Sequence, residues 1–340
     1  MAETSTIEWT DATWNPITGC TLVDDGCRNC YAAELAAGRL KAHPSRHGLA
    51  VRNAQGVAKF TGQLRWNNQW ADQPLRWRKP RMIFVCAHGD LFHEDVPTVW
   101  IDRVFSVMVL APRHTFQVLT KRPDRAARYF ARDDDGFMAA EARIEHRAKQ
   151  IARDRKTPVP IGKTLLGTAP WPHIWLGTSA SDQASAEARV PALLGTPAAT
   201  HFVSAEPLLG PVDLASMCDD GAYDALIGFD AKGSGHIFKG LDWVICGGES
   251  GRRARPMHPD WARSLRDQCA AAQVPFFFKQ WGTWLPQCQD PDGRWDWAEA
   301  DERGILHHWP EDREHKTSMP LSKSTAGRLL DGIEHNEVPE

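Results

Sequence analysis

The chain has 340 residues, 42% of them hydrophobic and 24% charged, with a formal net charge of −3. That length suits one large α/β barrel or two medium domains. The balance excludes a wholly disordered chain and a uniformly basic nucleic-acid coat, while leaving room for a local basic groove.

The opening MAETSTIEWTDATW lacks a basic segment followed by an apolar one, and no stretch nears the ~18 uninterrupted apolar residues of a membrane span. A cytosolic protein with no membrane segment is expected. Its eight cysteines then read as reduced thiols or metal ligands, not as a disulfide framework. Fifteen tryptophans are enough both to pack a core and to line a site for a planar substrate.

Apolar runs rich in β-branched or aromatic residues predict strands at Ala12–Gly19, Met82–Ala87, Phe116–Thr120, Ile174–Thr178, His201–Ala205, Trp243–Cys246 and Pro275–Lys279. Helical patterns fall between most of them, at Tyr31–Ala42, Thr98–Leu110, Ser185–Leu194 and Pro259–Ala272, the last with a first-turn proline. Apolar strands alternating with helices predict a parallel sheet covered on both faces. Six or seven such units point to a full or partial (β/α) barrel over residues 1–283.

Two regions break the rhythm. Ala126–Pro172, with an acidic Asp133–Asp135 run and a charged helix at Phe137–Arg155, reads as an inserted helical segment. Trp284–Glu340, with a helix near Ser322–Leu330, reads as a C-terminal appendage that caps the barrel or wraps its rim.

Barrel chemistry sits at the C-terminal ends of the strands, and polar text collects there repeatedly: Gly-Cys-Thr, Ala-His-Gly-Asp-Leu-Phe, Thr-Lys-Arg-Pro, Thr-Ser-Ala-Ser-Asp, Ala-Glu-Pro-Leu-Leu-Gly, Gly-Gly-Glu-Ser-Gly and Lys-Gln-Trp-Gly. After the first strand, Cys20, Cys27 and Cys30 form C-x6-C-x2-C, and Tyr31 opens a helix. Three thiolates on one loop can hold three irons of a [4Fe–4S] cube and leave the fourth open. A helix start beside Cys30 would favour the negative charge of thiolate and cluster. Cys86, Cys218, Cys246, Cys269 and Cys288 are scattered singly and read as small buried hydrophobes.

A zinc reading competes. Cys27 and Cys30 continue to His43 and His47 as C-x2-C-x12-H-x3-H, a zinc-finger spacing. Glu34 occupies the position where a finger buries an aromatic, Pro44 interrupts the His-bearing segment, and Cys20 is left without a role. Other rim residues have modest alternatives: Asp90 with His88 and His93 as metal ligands, and Lys121 with Arg122 as an anion site or a solvated helix start ahead of Pro123. The stretch Arg65–Arg81 interleaves five cations with Trp66, Trp70 and Trp77, which suits nucleic-acid contact or a tryptophan cover over the barrel with snorkelling arginines. No Ser/His/Asp triad, nucleophile elbow or P-loop is legible.

The stretches WNPITGCTLVDDGCRNCYA, GDLFHEDVP, VLTKRP, LGTSAS, SAEPLLGP, WVICGGESG…ARPM and VPFFFKQWG together resemble a phage-associated three-Cys-motif family of long-unassigned function. The resemblance covers most of the chain outside the insertion. That family in turn resembles radical S-adenosylmethionine enzymes, including the spore photoproduct lyase type, where the last cysteine is also followed by Tyr.

The resemblance implies a radical-type (β/α) barrel in which Cys20, Cys27 and Cys30 hold a [4Fe–4S] cluster and S-adenosyl-L-methionine chelates the open iron. It places Gly89 and Asp90 at the cofactor's amino group, Ser179 or Ser181 and Glu206 at its ribose or methionine part, and the Gly247–Gly251 loop, with Gly248 and Glu249, beside its adenosine. It further implies a flavodoxin- or ferredoxin-type reductant, a nucleoside, nucleotide or DNA-base substrate, and a partner protein encoded nearby. Two other readings remain: a non-catalytic zinc-stabilised nucleic-acid-binding protein, and a barrel whose cluster is purely redox or structural. Three departures are visible here: a first Cys gap of six residues instead of three, Asn29 where an aromatic often precedes the last cysteine, and Asp90 in place of Glu.

Overall fold

Side chains that are apolar on both strand faces need cover on both sides, and the sheet strands are built this way: every residue of Ile174–Ser179, Thr200–Ala205 and Trp243–Gly247 is buried. The computed structural model describes residues 4–131, 140–156, 169–217, 223–230, 237–290, 292–309 and 317–339. Along the chain run β1 (Ala12–Trp14), β2 (Ile17–Thr18), α1 (Tyr31–Ala37), β3 (Ala50–Arg52), β4 (Ala58–Phe60), β5 (Arg65–Trp66), β6 (Met82–Val85), α2 (Thr98–Val109), β7 (Thr115–Thr120), α3 (Pro123–Phe130), α4 (Ala140–Asp154), β8 (Ile174–Ser179), α5 (Gln183–Leu194) and β9 (Thr200–Ala205). Then follow β10 (Gly228–Asp230), β11 (Ile237–Lys239), β12 (Trp243–Gly247), α6 (Pro259–Ala272), β13 (Phe276–Gln280), β14 (Trp284–Pro286), α7 (Trp297–Glu302), β15 (His307–His308), β16 (Thr317–Pro320) and α8 (Lys323–Ala326).

The chain divides into two compact units that interleave in sequence: Met1–Val23, Ala32–Thr178 and Arg189–Phe202 in one, and Asp24–Tyr31, Ser179–Ala188 and Val203–Glu340 in the other. In the first unit the sheet order is β1-β6-β7-β8 followed by the first half of β9. Register runs Ala12↔Ile83, Ile83↔Phe116 and Phe116↔Ile174, every one of these pairs parallel. Trp14, Ile83, Phe116 and Phe202 are fully buried. Trp9 lies against Phe84, with ring centroids 4.8 Å apart.

The expected strand Ala12–Gly19 breaks into β1 and β2 because Pro16 has no N–H for a ladder. The amide of Asn67 restores pairing there by donating to Asn15 O at 3.0 Å, and β2 turns away to pair with β5.

The charged insertion helix is α4, and it packs as an ordinary covering helix. It buries Ala140, Ile144, Ala148 and Ile151, and Ser106 Oγ of α2 donates to Ile144 O at 2.8 Å. The buried Asp102 ties three helices together, accepting from Tyr129 Oη at 2.6 Å and Arg143 Nε at 3.4 Å. Burial and the Asp102 charge hold the Tyr129 phenol well above its ordinary pKa. The acidic run Asp133–Asp135 and Cys218 lie outside the described residues.

In the second unit the order is the end of β9, then β12, then β13, with β12 and β13 parallel. α6 spans the limits its sequence predicts: Pro259 stands at its start, His258 caps it by accepting from Asp260 N, and Gln273 ends it in the left-handed region at φ 57°. β14, β16 and β15 make a small antiparallel sheet. The expected helix at Ser322–Leu330 shortens to one turn, α8, which ends at Gly327 with φ +73°.

Beyond it the tail runs along β13. Phe278 N donates to His335 O at 3.0 Å, and Trp243 Nε1 and Trp281 Nε1 donate to Glu337 O and Leu329 O. The tail therefore covers the last strand's edge, where an eighth strand would otherwise pair. With β9 running through both units, the molecule is a mixed α/β protein with a seven-stranded sheet, compatible with a partial (β/α) barrel. Among the described residues no helix is long and apolar enough to cross a membrane.

Replacing Asp102 by Ala leaves the buried Tyr129 hydroxyl without its acceptor. We expect a loss of about 2–3 kcal/mol in urea unfolding, with Tyr129→Phe in the same background recovering part of it.

Candidate functional site

In the first unit, Cys20 leaves the sheet through Gly19. This glycine has φ +100°, and a Cβ on it would come within 2.0 Å of Gln63 O, so only glycine fits. Gly19 N donates to His88 O, and Gly19 bridges Gly89 in parallel, which sets Cys20 beside the end of β6.

From that end projects Asp90, 4% exposed. Its Oδ1 accepts from Thr120 Oγ1 at 2.7 Å and Phe92 N at 2.9 Å. Its Oδ2 accepts from Lys121 N at 3.1 Å and Arg122 Nη1 at 2.9 Å. Both oxygens are thus in use, and the carboxylate aims Arg122. The guanidinium places Nη1 3.7 Å from Cys20 Sγ and donates through Nη2 to Thr21 Oγ1 at 2.7 Å and Thr21 O at 3.4 Å. Burial alone would lower the Arg122 pKa, but Asp90 and Cys20 outweigh it and raise it, so the cation is firmly held.

His93 completes the group. Its Nδ1 accepts from Asp95 N, so its proton sits on Nε2, 2.9 Å from Thr21 Oγ1. Burial and Arg122 lower its pKa.

In the second unit, Cys27 closes a single 3-10 turn (Asp25–Cys27), Cys30 N donates to Cys27 O at 3.3 Å, and α1 starts at the next residue. Asn29 Nδ2 donates to Glu249 Oε2 at 3.0 Å and to Arg253 O at 2.8 Å. Glu249 is 6% exposed and receives a two-pronged Arg255: Nε to Oε2 at 2.9 Å and Nη2 to Oε1 at 2.7 Å.

Gly248 lets the β12 turn lie against the end of β13, since a Cβ there would meet Trp281 O at 2.0 Å. That close packing accounts for the glycine on structural grounds. Glu206, ending β9, reaches Lys279 Nζ of β13 at 2.8 Å, close enough for an ion pair, and accepts from Ser204 Oγ at 3.1 Å. Ser179 and Ser181 are buried at the end of β8, and Ser181 O accepts from Leu209 N.

Cys20, Cys27 and Cys30 are partly exposed and make no disulfide, whereas Cys86, Cys246 and Cys269 are buried. Burial pushes the thiols of Cys86 and Cys269 up to about 12 and that of Cys246 well above its ordinary value, as expected for inert core residues. Cys288 is instead partly exposed, near Arg263. Among the described residues no three His, Cys, Asp or Glu side chains are gathered as a ready-made metal site.

The zinc spacing is not carried by finger-like structure, because residues 38–48 form turns and no helix presents His43 and His47. His43 stacks on Trp70, with centroids 5.7 Å apart, and its Nδ1 bonds Ser45 Oγ at 2.7 Å. His88 Nδ1 accepts from Arg46 Nε, so the rim histidines are engaged in hydrogen bonds. The tryptophans of Arg65–Arg81 serve packing: Trp66 meets Trp100, and Trp77 is buried beneath Arg81. The run Trp77–Arg81 leads into the start of β6, and Arg113, just before β7, donates to Trp77 O. That is the opposite end of the parallel strands from Cys20, Asp90 and Arg122.

Sequence reasoning missed Arg255 and Lys279. Arg255 sits within the ARPM stretch, and only its six-residue distance from Glu249 hinted at a pair.

The model of the family described as "Protein of unknown function (DUF5131)" matches residues 4–339, and the chain belongs to that family. No curated protein and no solved structure matches it.

Burial, followed by the Arg46 and Arg39 charges, holds His88 neutral with its pKa lowered to about 3. Below the ordinary value near 6.5 the unfolded chain takes up a proton that folded His88 refuses, so this group's contribution to stability falls with pH from there to about 3. We expect about 2 kcal/mol of this loss between pH 7 and pH 5, read as the difference in urea unfolding between wild type and His88→Gln.

Proposed function

We propose that the protein is a radical S-adenosylmethionine enzyme whose Cys20, Cys27 and Cys30 hold a [4Fe–4S] cluster. The observation that carries the reading is a loop of eleven residues bearing three partly exposed thiols, with the Arg122 guanidinium 3.7 Å from the Cys20 sulfur. Thiolates are soft ligands suited to iron–sulfur clusters, and a fixed cation lowers the cost of gathering negative charge. The donor chemistry of these side chains therefore suits such a group. Cys20, Cys27 and Cys30 would hold the cluster, which, once reduced and with S-adenosylmethionine bound, would supply one-electron cleavage chemistry for hydrogen abstraction from a substrate.

The chain's own residues supply position and dryness. Asp90 fixes Arg122, and Arg122 fixes Thr21 and the sulfur of Cys20. Glu206 with Lys279, and Ser179 with Ser181, offer paired charge and hydroxyls at strand ends where a polar cofactor or substrate would be oriented. Asp90 serves this site through Arg122, since its oxygens already accept four hydrogen bonds. A flavodoxin- or ferredoxin-type protein would deliver the electron, and a nucleoside, nucleotide or DNA base is the proposed substrate class. The partner protein encoded nearby belongs to the same proposal.

The turns at residues 38–48 and the engaged His43 weigh against the zinc alternative. Anaerobic reconstitution tests the choice. We expect a brown protein with about four irons and four sulfides per chain, releasing 5′-deoxyadenosine when given dithionite and S-adenosylmethionine. A colourless protein with one tight zinc overturns the reading. Cys→Ala at position 20, 27 or 30 should each abolish full iron occupancy, and a fully loaded, active Cys20→Ala protein would remove Cys20 from the ligand set. Iron–sulfur absorption without binding of S-adenosylmethionine would leave only a redox or structural cluster.

A further inference from the structure

We infer that Glu249 is a positioning residue: with Arg255 it latches the Cys27–Cys30 segment in the metal-free protein, and Asn29 is the latch's contact beside Cys30. This rests on the cluster reading only for its purpose, because the latch itself is built from this chain's side chains.

Three features carry it. First, the base is rigid: Gly248 N donates to Gln280 O at 2.9 Å, and Thr283 N donates to Glu249 O at 3.0 Å, so the turn bearing Glu249 is pinned to the strand beside it. Second, the buried carboxylate is held by several donors. Its Oε2 accepts from Asn29 Nδ2, Arg255 N and Arg255 Nε, and its Oε1 from Arg255 Nη2. The carboxylate thus accepts four hydrogen bonds, three of them on Oε2.

Third, the latch reaches both ends of the short cysteine segment. Arg255 Nη1 pairs with Asp25 Oδ2, and Nη2 donates to Asp25 O at 3.1 Å, two residues before Cys27. Asn29 is held one residue before Cys30. Burial alone would lower the Arg255 pKa, but Glu249 and Asp25 more than offset it. A carboxylate that holds one arginine and one amide on either side of two thiols fixes their spacing before a metal arrives, which is how supporting residues orient ligands. It also gives Asn29 a reason: its N–H₂ group donates to both Glu249 and Arg253 O.

The test compares the full-length wild type with Glu249→Gln, Asn29→Asp and the double variant. Asn29→Asp sets two carboxylates against each other, and Glu249→Gln loses the charge that binds Arg255. In the double variant the amide introduced at position 249 can again donate to the carboxylate introduced at position 29, with the charge count conserved. In metal-free protein we expect each single change to speed amide exchange of residues 25–31 by about tenfold or more while β12 and β13 stay protected. In reconstituted protein we expect each to weaken iron retention against a chelator by ~10–100-fold. The double variant should recover part of both losses.

Unchanged exchange and retention in the single variants overturns the latch. So do losses in the double variant that merely add. If wild type binds no iron, the radical reading falls, and the metal-free exchange data still decide the latch.

Discussion

Buried charge governs this molecule. A carboxylate removed from water must be matched by a cation and hydrogen bonds, or it destabilises the fold. Two such carboxylates stand at strand ends, Asp90 after β6 in one unit and Glu249 after β12 in the other. Each is held by several donors, and each grips one arginine that in turn grips the polypeptide next to a cysteine. Breaking either pair by removing one partner leaves the other charge buried and alone, so both positions are constrained twice, once by stability and once by the loop they hold. The flanking glycines follow from the same arrangement. Gly19 and Gly248 bring backbones within reach of Gln63 O and Trp281 O, where a side chain would push the strand ends apart.

Much of this was legible in the text of the chain. Strand runs such as Ile174–Thr178 and Trp243–Cys246 announce themselves because burial on both faces leaves no polar alternation to blur them. α6 could be bounded to the residue, since Pro259 and the end of its periodic pattern mark its limits. The hairpins β3–β4 and β10–β11 and the small β14-β16-β15 sheet were not legible. Their strands are two to four residues long, too short for period to show, and their pairing is set by neighbours distant in sequence.

The strand-end residues were found, but their partners were not. Sequence places Asp90 and Glu249 at the mouth of a barrel. It does not say that Thr120, Lys121 N and Arg122 fill the first carboxylate, or that Arg255 and Asn29 fill the second. Polar residues at a strand end therefore read as ligand contacts until the hydrogen bonds are counted. The Arg65–Arg81 stretch was open to two readings for a related reason. Its alternation of arginine and tryptophan is equally the signature of a stacking platform and of indoles roofed by guanidinium stems. Trp77 beneath Arg81, at the N-terminal end of β6, fits the second at that position.

The cationic setting of Cys20 bears on which metal chemistry such a loop favours. Three thiolates around a cluster concentrate negative charge, and a neighbouring arginine with no proton to lose at ordinary pH offsets part of it permanently. A lysine or histidine in that place could be neutralised by the same burial that lowers the pKa of His93 beside it. Arginine cannot, and Asp90 ensures that it stays aimed at the sulfur. On the proposed cluster, reduction would add one more electron to that group of charges, so a fixed cation would favour the reduced state more than the oxidised one and raise the potential. The Asp90–Arg122 pair would thus tie the electrostatics of a strand end to the potential of the proposed cluster, easing uptake of the electron while making the reduced cluster a milder reductant.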